Sequence, residues 1–132
     1  MIAVWAGLGG ALGALARFVM GAWVTTWAGA GFPWATFLMN ASGSLLLGCL
    51  ARLFTGIGGR ARTRAFTTVG LCGGFTTFST FDLETYALLQ HGRYELAAAY
   101  SSGSVVTCIA AIAAGFWLGS VLVGVRARTR PA

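Results

Sequence analysis

The sequence predicts an all-α membrane protein with four transmembrane helices, the third of them broken mid-span. Hydrophobic residues make up 57% of the 132 residues and charged residues only 9%, which is too few to cover a soluble globule of this size. Four apolar stretches are each long enough for a helix that crosses the ~30 Å hydrocarbon core of a bilayer. The third stretch is interrupted at residues 73–81 by two glycines and four hydroxyl side chains.

The predicted helices cover residues 2–24, 33–54, 65–89 and 96–125. Little chain remains outside them, so residues 1–132 are predicted to form a single four-helix transmembrane domain with short loops. The first stretch lacks a basic start and exceeds the roughly 7 to 15 apolar residues of a signal peptide core, which predicts a retained helix. The three cysteines lie singly in three spans, so the sequence indicates neither a zinc site nor a disulfide framework.

Arginine supplies all of the positive charge, and its distribution predicts the orientation in the membrane. The side that holds the amino terminus also receives the second loop and the carboxyl-terminal tail, whereas Arg93 and Glu95 lie on the other side. The positive-inside rule therefore predicts a multi-pass protein of the cell membrane with both termini in the cytoplasm. The basic segments flank the spans and lack interleaved aromatics, so anionic lipid explains them better than nucleic acid does. The cytoplasmic arginines are Arg52, Arg60, Arg62, Arg64, Arg126, Arg128 and Arg130.

The most informative segment is residues 73–81, which read Gly-Gly-Phe-Thr-Thr-Phe-Ser-Thr-Phe. Unwound backbone at membrane depth is tolerated only where protein or a water-filled path shields it, so this break indicates an ion or substrate site. Carbonyls freed around Gly73 and Thr76 are hard oxygen ligands of the kind that hold a small cation. Phe78 and Phe81 lie at i, i+3. Their positively polarised ring edges either flank an anion or, as in most phenylalanine pairs, pack against protein.

Polar residues also mark one face of the first and second helices. In the first helix, glycines recur at four-residue intervals around Arg17, so this face is predicted to pack closely on protein. Arg17 is either an anchor near a helix end or a cation that lines a vestibule. In the second helix, Thr36, Asn40 and Ser44 form a polar stripe. The Asn40 amide either joins two helices or binds a passing anion.

The fourth helix carries a further line of hydroxyl groups on one face, which includes Tyr100 and Ser104. Each hydroxyl alone can bond the backbone of its own helix. Together with Asn40 and the hydroxyls of the break, they suit a small anion that exchanges water for hydrogen bonds as it moves. Asp82 and Glu84, one turn past the break, either mark a pore mouth or lie at the membrane interface.

These residues resemble the Fluc fluoride channels, also called the CrcB family. The resemblance implies a four-helix subunit that pairs antiparallel with another subunit and forms two fluoride pathways near the dimer interface. It implies fluoride-selective, passive efflux that relieves fluoride toxicity, without enzymatic activity. The motifs that carry it are Gly9-Gly10-x-x-Gly13-Ala14-x-x-Arg17-Phe18, residues 33–40 with Gly43 and Gly48, residues 73–81 with Glu84, and Tyr100 with Ser104.

The resemblance also implies roles for individual residues. The backbone carbonyls of Gly73 and Thr76, two from each subunit, would hold a structural Na⁺ at the dimer interface. Phe78 and Phe81 match the phenylalanines of the pore, and Asn40 matches its asparagine. The full fluoride pathway expected in this chain is Thr36, Asn40, Thr77, Phe78, Ser79, Phe81, Glu84, Tyr100 and Ser104.

Three features depart from the family pattern. Ala35 stands where many relatives have glycine, and Cys108 stands where a second hydroxyl of the fourth helix is common. The arginine bias is the third, because an antiparallel homodimer requires one chain to insert in both orientations. We therefore expect the partner to be either a second copy or a related subunit of opposite orientation.

Two other classes of membrane protein compete with this interpretation. A small four-helix multidrug or cation exchanger needs an acidic residue in the first helix for proton coupling, and this chain has Arg17 there instead. A structural membrane subunit without transport explains the glycines but not the hydroxyls at the break. No nucleophile, base and orienting group form a recognisable set, so an enzyme is not predicted.

Overall fold

The computed structural model describes residues 1–29 and 31–128, with side chains as far as Val125. The regular secondary structure of these residues is helical, and they contain no strand. The helices are α1 (Ile2–Ala28), α2 (Trp34–Gly56), α3 (Ala61–Arg64), α4 (Gly73–Phe75), α5 (Phe78–Gln90) and α6 (Tyr94–Arg128), with a π-helical segment (Ala65–Cys72) between α3 and α4.

Three of these helices are long and apolar enough to cross a membrane, namely Ile2–Ala28, Trp34–Gly56 and the Tyr94–Val125 part of α6. The third predicted span is divided into α3, the π-helical segment, α4 and α5, so none of its pieces reaches that length alone. The predictions of an all-helical membrane protein and of a break in the third helix are both confirmed.

The helix bounds differ from the predicted ones by a few residues. Hydropathy placed the end of the first helix at residue 24, but α1 continues to Ala28. The hydroxyls of Thr25 and Thr26 bond the carbonyls of Ala22 and Trp23, so these polar residues do not interrupt the helix. Similarly, the third element begins at residue 61 and α6 begins at Tyr94, where chain outside the apolar stretch remains helical.

Glycines set the packing of α1 on the π-helical segment and α4. A Cβ atom on Gly9 would overlap the Phe66 carbonyl, and one on Gly13 would overlap the Leu71 carbonyl. From the opposite side, a Cβ on Gly74 would overlap the Gly10 carbonyl. The backbones therefore approach as closely as small residues allow, and the predicted packing face of the first helix is confirmed.

The second close pair is α2 with α6, and it packs by the same means. Gly48 of α2 lies against the Ile112 carbonyl, and Gly115 of α6 lies against the Leu45 carbonyl. Near the other end of α6, Tyr100 is completely buried and packs with Leu88 and Phe81 of α5. The packing of α1 on α4 and the packing of α2 on α6 thus hold the break beside one polar face of α6.

Candidate functional site

Asn40 holds the break open through two backbone hydrogen bonds. Its Oδ1 accepts from the Thr77 N–H at 2.8 Å, and its Nδ2 donates to the Thr77 carbonyl at 3.0 Å. Thr76 and Thr77 have extended backbone conformations, so the helix stops before them and restarts at Phe78. The Asn40 amide therefore joins α2 to the break. One of its two N–H protons is not used in this pair.

Gly73 and Thr76 are among the residues of the break whose carbonyls lack their usual helical donors. In a continuous helix the Thr77 N–H would bond the Gly73 carbonyl and the Thr80 N–H would bond the Thr76 carbonyl. Here the Thr77 N–H bonds Asn40, and the Thr80 N–H bonds the Thr77 Oγ1 at 3.2 Å. The carbonyls of Gly73 and Thr76 are the two that the sequence singled out as cation ligands.

A cavity of about 270 Å³ lies beside the break, between α2 and α6. Ser104 is its most unusual member, because the residue is only 5% exposed and its Oγ has no hydrogen-bond partner among the described residues. A buried hydroxyl without a partner costs about 1–3 kcal/mol, so the site favours a ligand that accepts a hydrogen bond. The cavity is lined by Asn40, Gly43, Ser44, Leu47, Thr76, Thr77, Phe78, Phe81, Ser104, Val105 and Cys108.

Phe78 and Phe81 form one wall of this cavity. Their ring centroids are 5.7 Å apart with the planes inclined by 35°. Phe81 is partly buried, and its ring lies 5.2 Å from that of Tyr100. Phe78 is 74% exposed. The cavity wall is therefore incomplete on the Phe78 side, where no other part of the described chain covers it.

A carboxylate cluster lies behind Phe81. Glu84 Oε1 accepts from the Thr36 hydroxyl at 2.9 Å, and Glu84 Oε2 accepts from the Tyr100 hydroxyl at 2.6 Å. Thr36 is 1% exposed and Tyr100 is fully buried, so both donors are shielded from solvent. The structure places Glu84 in contact with protein on both oxygens. Asp82, which the sequence grouped with it, is exposed.

Apart from the carbonyls of Gly73 and Thr76, the predicted site residues fall into two adjoining groups and two outliers. Asn40, Thr77, Phe78, Phe81 and Ser104 share the cavity. Thr36, Glu84 and Tyr100 form the carboxylate cluster, which is joined to the cavity by the contact between Phe81 and Tyr100. The outliers do not line the cavity.

The two outliers are Ser79 and Arg17. Ser79 is exposed, and its Oγ is 3.4 Å from the Thr77 Oγ1. Arg17 is half-buried on α1. Sequence reasoning missed Thr80, whose hydroxyl accepts a hydrogen bond from the Thr77 hydroxyl at 2.9 Å. The Thr80 N–H in turn donates to the Thr77 Oγ1, which is the N-cap bond of α5. Its position three residues after an N-cap threonine was the available signal.

Fold and site together define a multi-pass membrane protein with a small donor-lined cavity beside a broken helix, an arrangement typical of ion channels and transporters. The chain belongs to the CrcB family: residues 4–116 match the family described as CrcB-like protein, Camphor Resistance (CrcB). The resemblance drawn from the sequence motifs is therefore confirmed.

Relatives similar to this chain carry the name Fluoride-specific ion channel FluC. The protein of Nitrobacter winogradskyi is 45% identical over 115 residues, which cover 86% of this chain and 91% of the relative. That of Thermus thermophilus is 47% identical over 117 residues, covering 89% and 92%, and that of Novosphingobium aromaticivorans is 47% identical over 121 residues, covering 89% and 93%. Because these relatives are ion channels, the prediction that the chain is not an enzyme is supported, and an exchanger is not favoured.

Proposed function

We propose that this protein is a fluoride-selective channel of the cell membrane that lets fluoride leave the cell passively and so relieves fluoride toxicity. The observation that carries the proposal is the unpartnered Ser104 hydroxyl in a cavity walled by Phe78 and Phe81. Fluoride is small and strongly hydrated, so it needs short hydrogen bonds from fixed donors where its water is removed. The names of the relatives point to the same ion.

The mechanism follows from the donors that face the cavity. Ser104 offers one O–H, and the Asn40 amide offers the N–H that does not bond Thr77. The ring edges of Phe78 and Phe81 carry partial positive charge and add weak attraction without binding the ion tightly. Hydrogen bonds to a charged partner contribute about 1.5–3 kcal/mol each. A few such bonds replace part of the hydration shell yet let the ion move on.

A direct test uses liposomes that contain the purified protein and are loaded with potassium fluoride. Addition of a potassium ionophore is expected to release fluoride, which a fluoride electrode records, while chloride-loaded liposomes stay closed. Fluoride release before the ionophore is added would indicate leakage. Protein-free liposomes are the control for it. Fluoride retention by correctly assembled protein would contradict the proposal. Expression in a bacterium that lacks a fluoride exporter is expected to restore growth on fluoride medium.

The aromatic wall is tested by Phe81→Ile, which keeps apolar character but removes the ring edge. We expect slower fluoride release with unchanged assembly, because the isoleucine still fills much of the space against Tyr100. The matched control is Phe18→Ile, since Phe18 is 73% exposed on α1 and does not line the cavity. Unchanged release by Phe81→Ile would remove the ring edges from the mechanism.

We infer further that the carbonyls of Gly73 and Thr76 help to hold a structural Na⁺ between two subunits. Both carbonyls lack their usual helical N–H donors, and Gly73 is exposed with open space beyond its Cα. Hard oxygens of this kind suit a small cation, whose charge would bind carbonyls of both subunits. The thermal stability of the purified protein is expected to be higher in sodium than in choline salts. Equal stability in both would contradict the assignment.

We propose an antiparallel dimer in which a second subunit covers the exposed Phe78 side of the cavity. The isolated subunit leaves that wall open, which supports a partner there. The arginine bias favours one orientation, so the partner proposed is a related chain inserted the opposite way, with a second copy as the alternative. Tags on both termini test this. Equal populations of the two orientations, in cells that express this chain alone, would indicate a homodimer.

A further inference from the structure

A vestibule lies on the far side of Glu84 from the cavity. It consists of two adjoining spaces of about 230 and 360 Å³, which share Pro33, Glu84 and Leu88 in their walls. The larger space is also lined by His91 and Arg93, from the turn between α5 and α6. Glu84 is therefore the common wall between the buried hydroxyls of the carboxylate cluster and an opening at the end of the molecule.

Arg93 is held at this opening by its neighbours. Its Nη2 donates to the Gly31 carbonyl at 3.0 Å, which ties the α5–α6 turn to the turn before α2. Its backbone N–H bonds the Leu88 carbonyl at 2.9 Å, and Gly92 has a φ of 69°, which allows the tight turn. The turn that carries Arg93 is therefore well defined, and one hydrogen bond holds the exposed guanidinium beside the opening.

The charge of Arg93 is not neutralised by a direct partner. Its side-chain bond goes to a neutral carbonyl, and among the described residues no carboxylate pairs with it. Glu84 lies in the vestibule wall, but both of its oxygens accept from Thr36 and Tyr100. Glu95 is exposed on α6, two residues along the chain. The Arg93 guanidinium is therefore a cation that an anion can reach at the same opening that Glu84 lines.

The vestibule and the cavity are separate spaces that a chain of side-chain contacts joins. Glu84 bonds Tyr100, the Tyr100 ring packs on Phe81, and Phe81 lines the cavity that contains Ser104. An ion that moved between the cavity and this end of the molecule would pass the hydroxyl donors of the carboxylate cluster. Without a cation at its end, such a route would present a carboxylate to an arriving anion.

We propose that this vestibule is an anion-collecting site in which Arg93 raises the local concentration of small halides at one mouth of the conduction path. The proposal rests on the proposed function and assigns an entrance to the conduction path. A positive charge at an opening attracts anions over about a Debye length, which is ~10 Å at 0.1 M salt and longer in dilute salt. The contribution of Arg93 is therefore largest at low ionic strength.

The test compares fluoride currents in planar bilayers for the wild type, Arg93→Lys, Arg93→Gln and Arg93→Glu. At roughly 20 mM ionic strength we expect Arg93→Lys to match the wild type, Arg93→Gln to carry about two- to threefold less current and Arg93→Glu less again. Potassium gluconate that raises the ionic strength to about 500 mM is expected to remove these differences, because screening then acts within ~4 Å. Arg60→Gln, a charge loss in the loop before α3, is the matched control.

The outcomes separate charge from structure and the entrance from the function itself. Arg93→Lys keeps the positive charge but loses the planar guanidinium group. A loss of current in Arg93→Lys as large as that in Arg93→Gln would therefore overturn the proposal. Deficits that persist unchanged at high salt, or equal currents for the wild type and Arg93→Glu in dilute salt, would overturn it too. Absence of fluoride current in the wild type would instead contradict the proposed function.

Discussion

The Ser104 hydroxyl offers a prediction in which stability and conduction change in opposite directions. Ser104→Ala removes a buried Oγ that has no hydrogen-bond partner in the described part of the chain. A buried unsatisfied polar group costs about 1–3 kcal/mol, so its removal is expected to leave the free energy of unfolding unchanged or to raise it by about 1 kcal/mol.

The effect on conduction follows from the same hydroxyl as a donor to fluoride. A hydrogen bond to a charged partner contributes about 1.5–3 kcal/mol, and 1.4 kcal/mol corresponds to a factor of about ten. Ser104→Ala is therefore expected to slow fluoride release from liposomes by about tenfold or more. Ser102→Ala is the matched control, because the Ser102 hydroxyl is exposed and bonds the Ala98 carbonyl of its own helix.

The two measurements are thermal unfolding in detergent and fluoride release from liposomes, both on protein of verified assembly. Fluoride release by Ser104→Ala at the wild-type rate would refute the assignment of this hydroxyl to the ion path. A clear loss of stability would refute the reading of the Oγ as unsatisfied, since it would mean that the hydroxyl has a stabilising partner within the protein.

Three further changes probe the break and the carboxylate cluster. Asn40→Ala leaves the Thr77 N–H and carbonyl unpaired and is expected to lower the free energy of unfolding by about 2–4 kcal/mol, measured by thermal unfolding. Gly43→Ala places a methyl against the side chains of the break and is expected to cost about 1–3 kcal/mol, whereas Gly7→Ala, with open space around it, is expected to cost nothing. Tyr100→Phe removes a 2.6 Å hydrogen bond to the cluster carboxylate and is expected to slow fluoride release several-fold.

Each of these changes has an outcome that would contradict its premise. Wild-type stability of Asn40→Ala would mean that the break is held by other contacts. If Gly43→Ala and Gly7→Ala behave alike, the close approach of α2 to the break is not required. Undiminished release by Tyr100→Phe would place the conduction path away from the carboxylate cluster and would weaken the case for the vestibule.

The sequence predicted those features that depend on local pattern. Long apolar stretches identify spans wherever they occur, because the bilayer requires about 20 apolar residues in a helix. The two glycines and four hydroxyls at residues 73–81 identified the break, since lipid-facing helix does not carry such a segment. Glycines at four-residue intervals around Arg17 identified a packing face, and Gly9 and Gly13 indeed meet neighbouring backbone.

Only the tertiary structure decided which of several possible partners each polar group takes. From spacing alone, Asn40 could bond either a neighbouring helix or an anion, and its contact with Thr77 joins positions 37 residues apart in the chain. The hydroxyls of Thr36 and Tyr100, which lie on different helices, likewise meet at Glu84 only in the folded chain. Such contacts depend on the rotation of each helix and on how closely the helices pack. The glycines between the helices set that packing for the whole bundle, so no single segment of the sequence determines it.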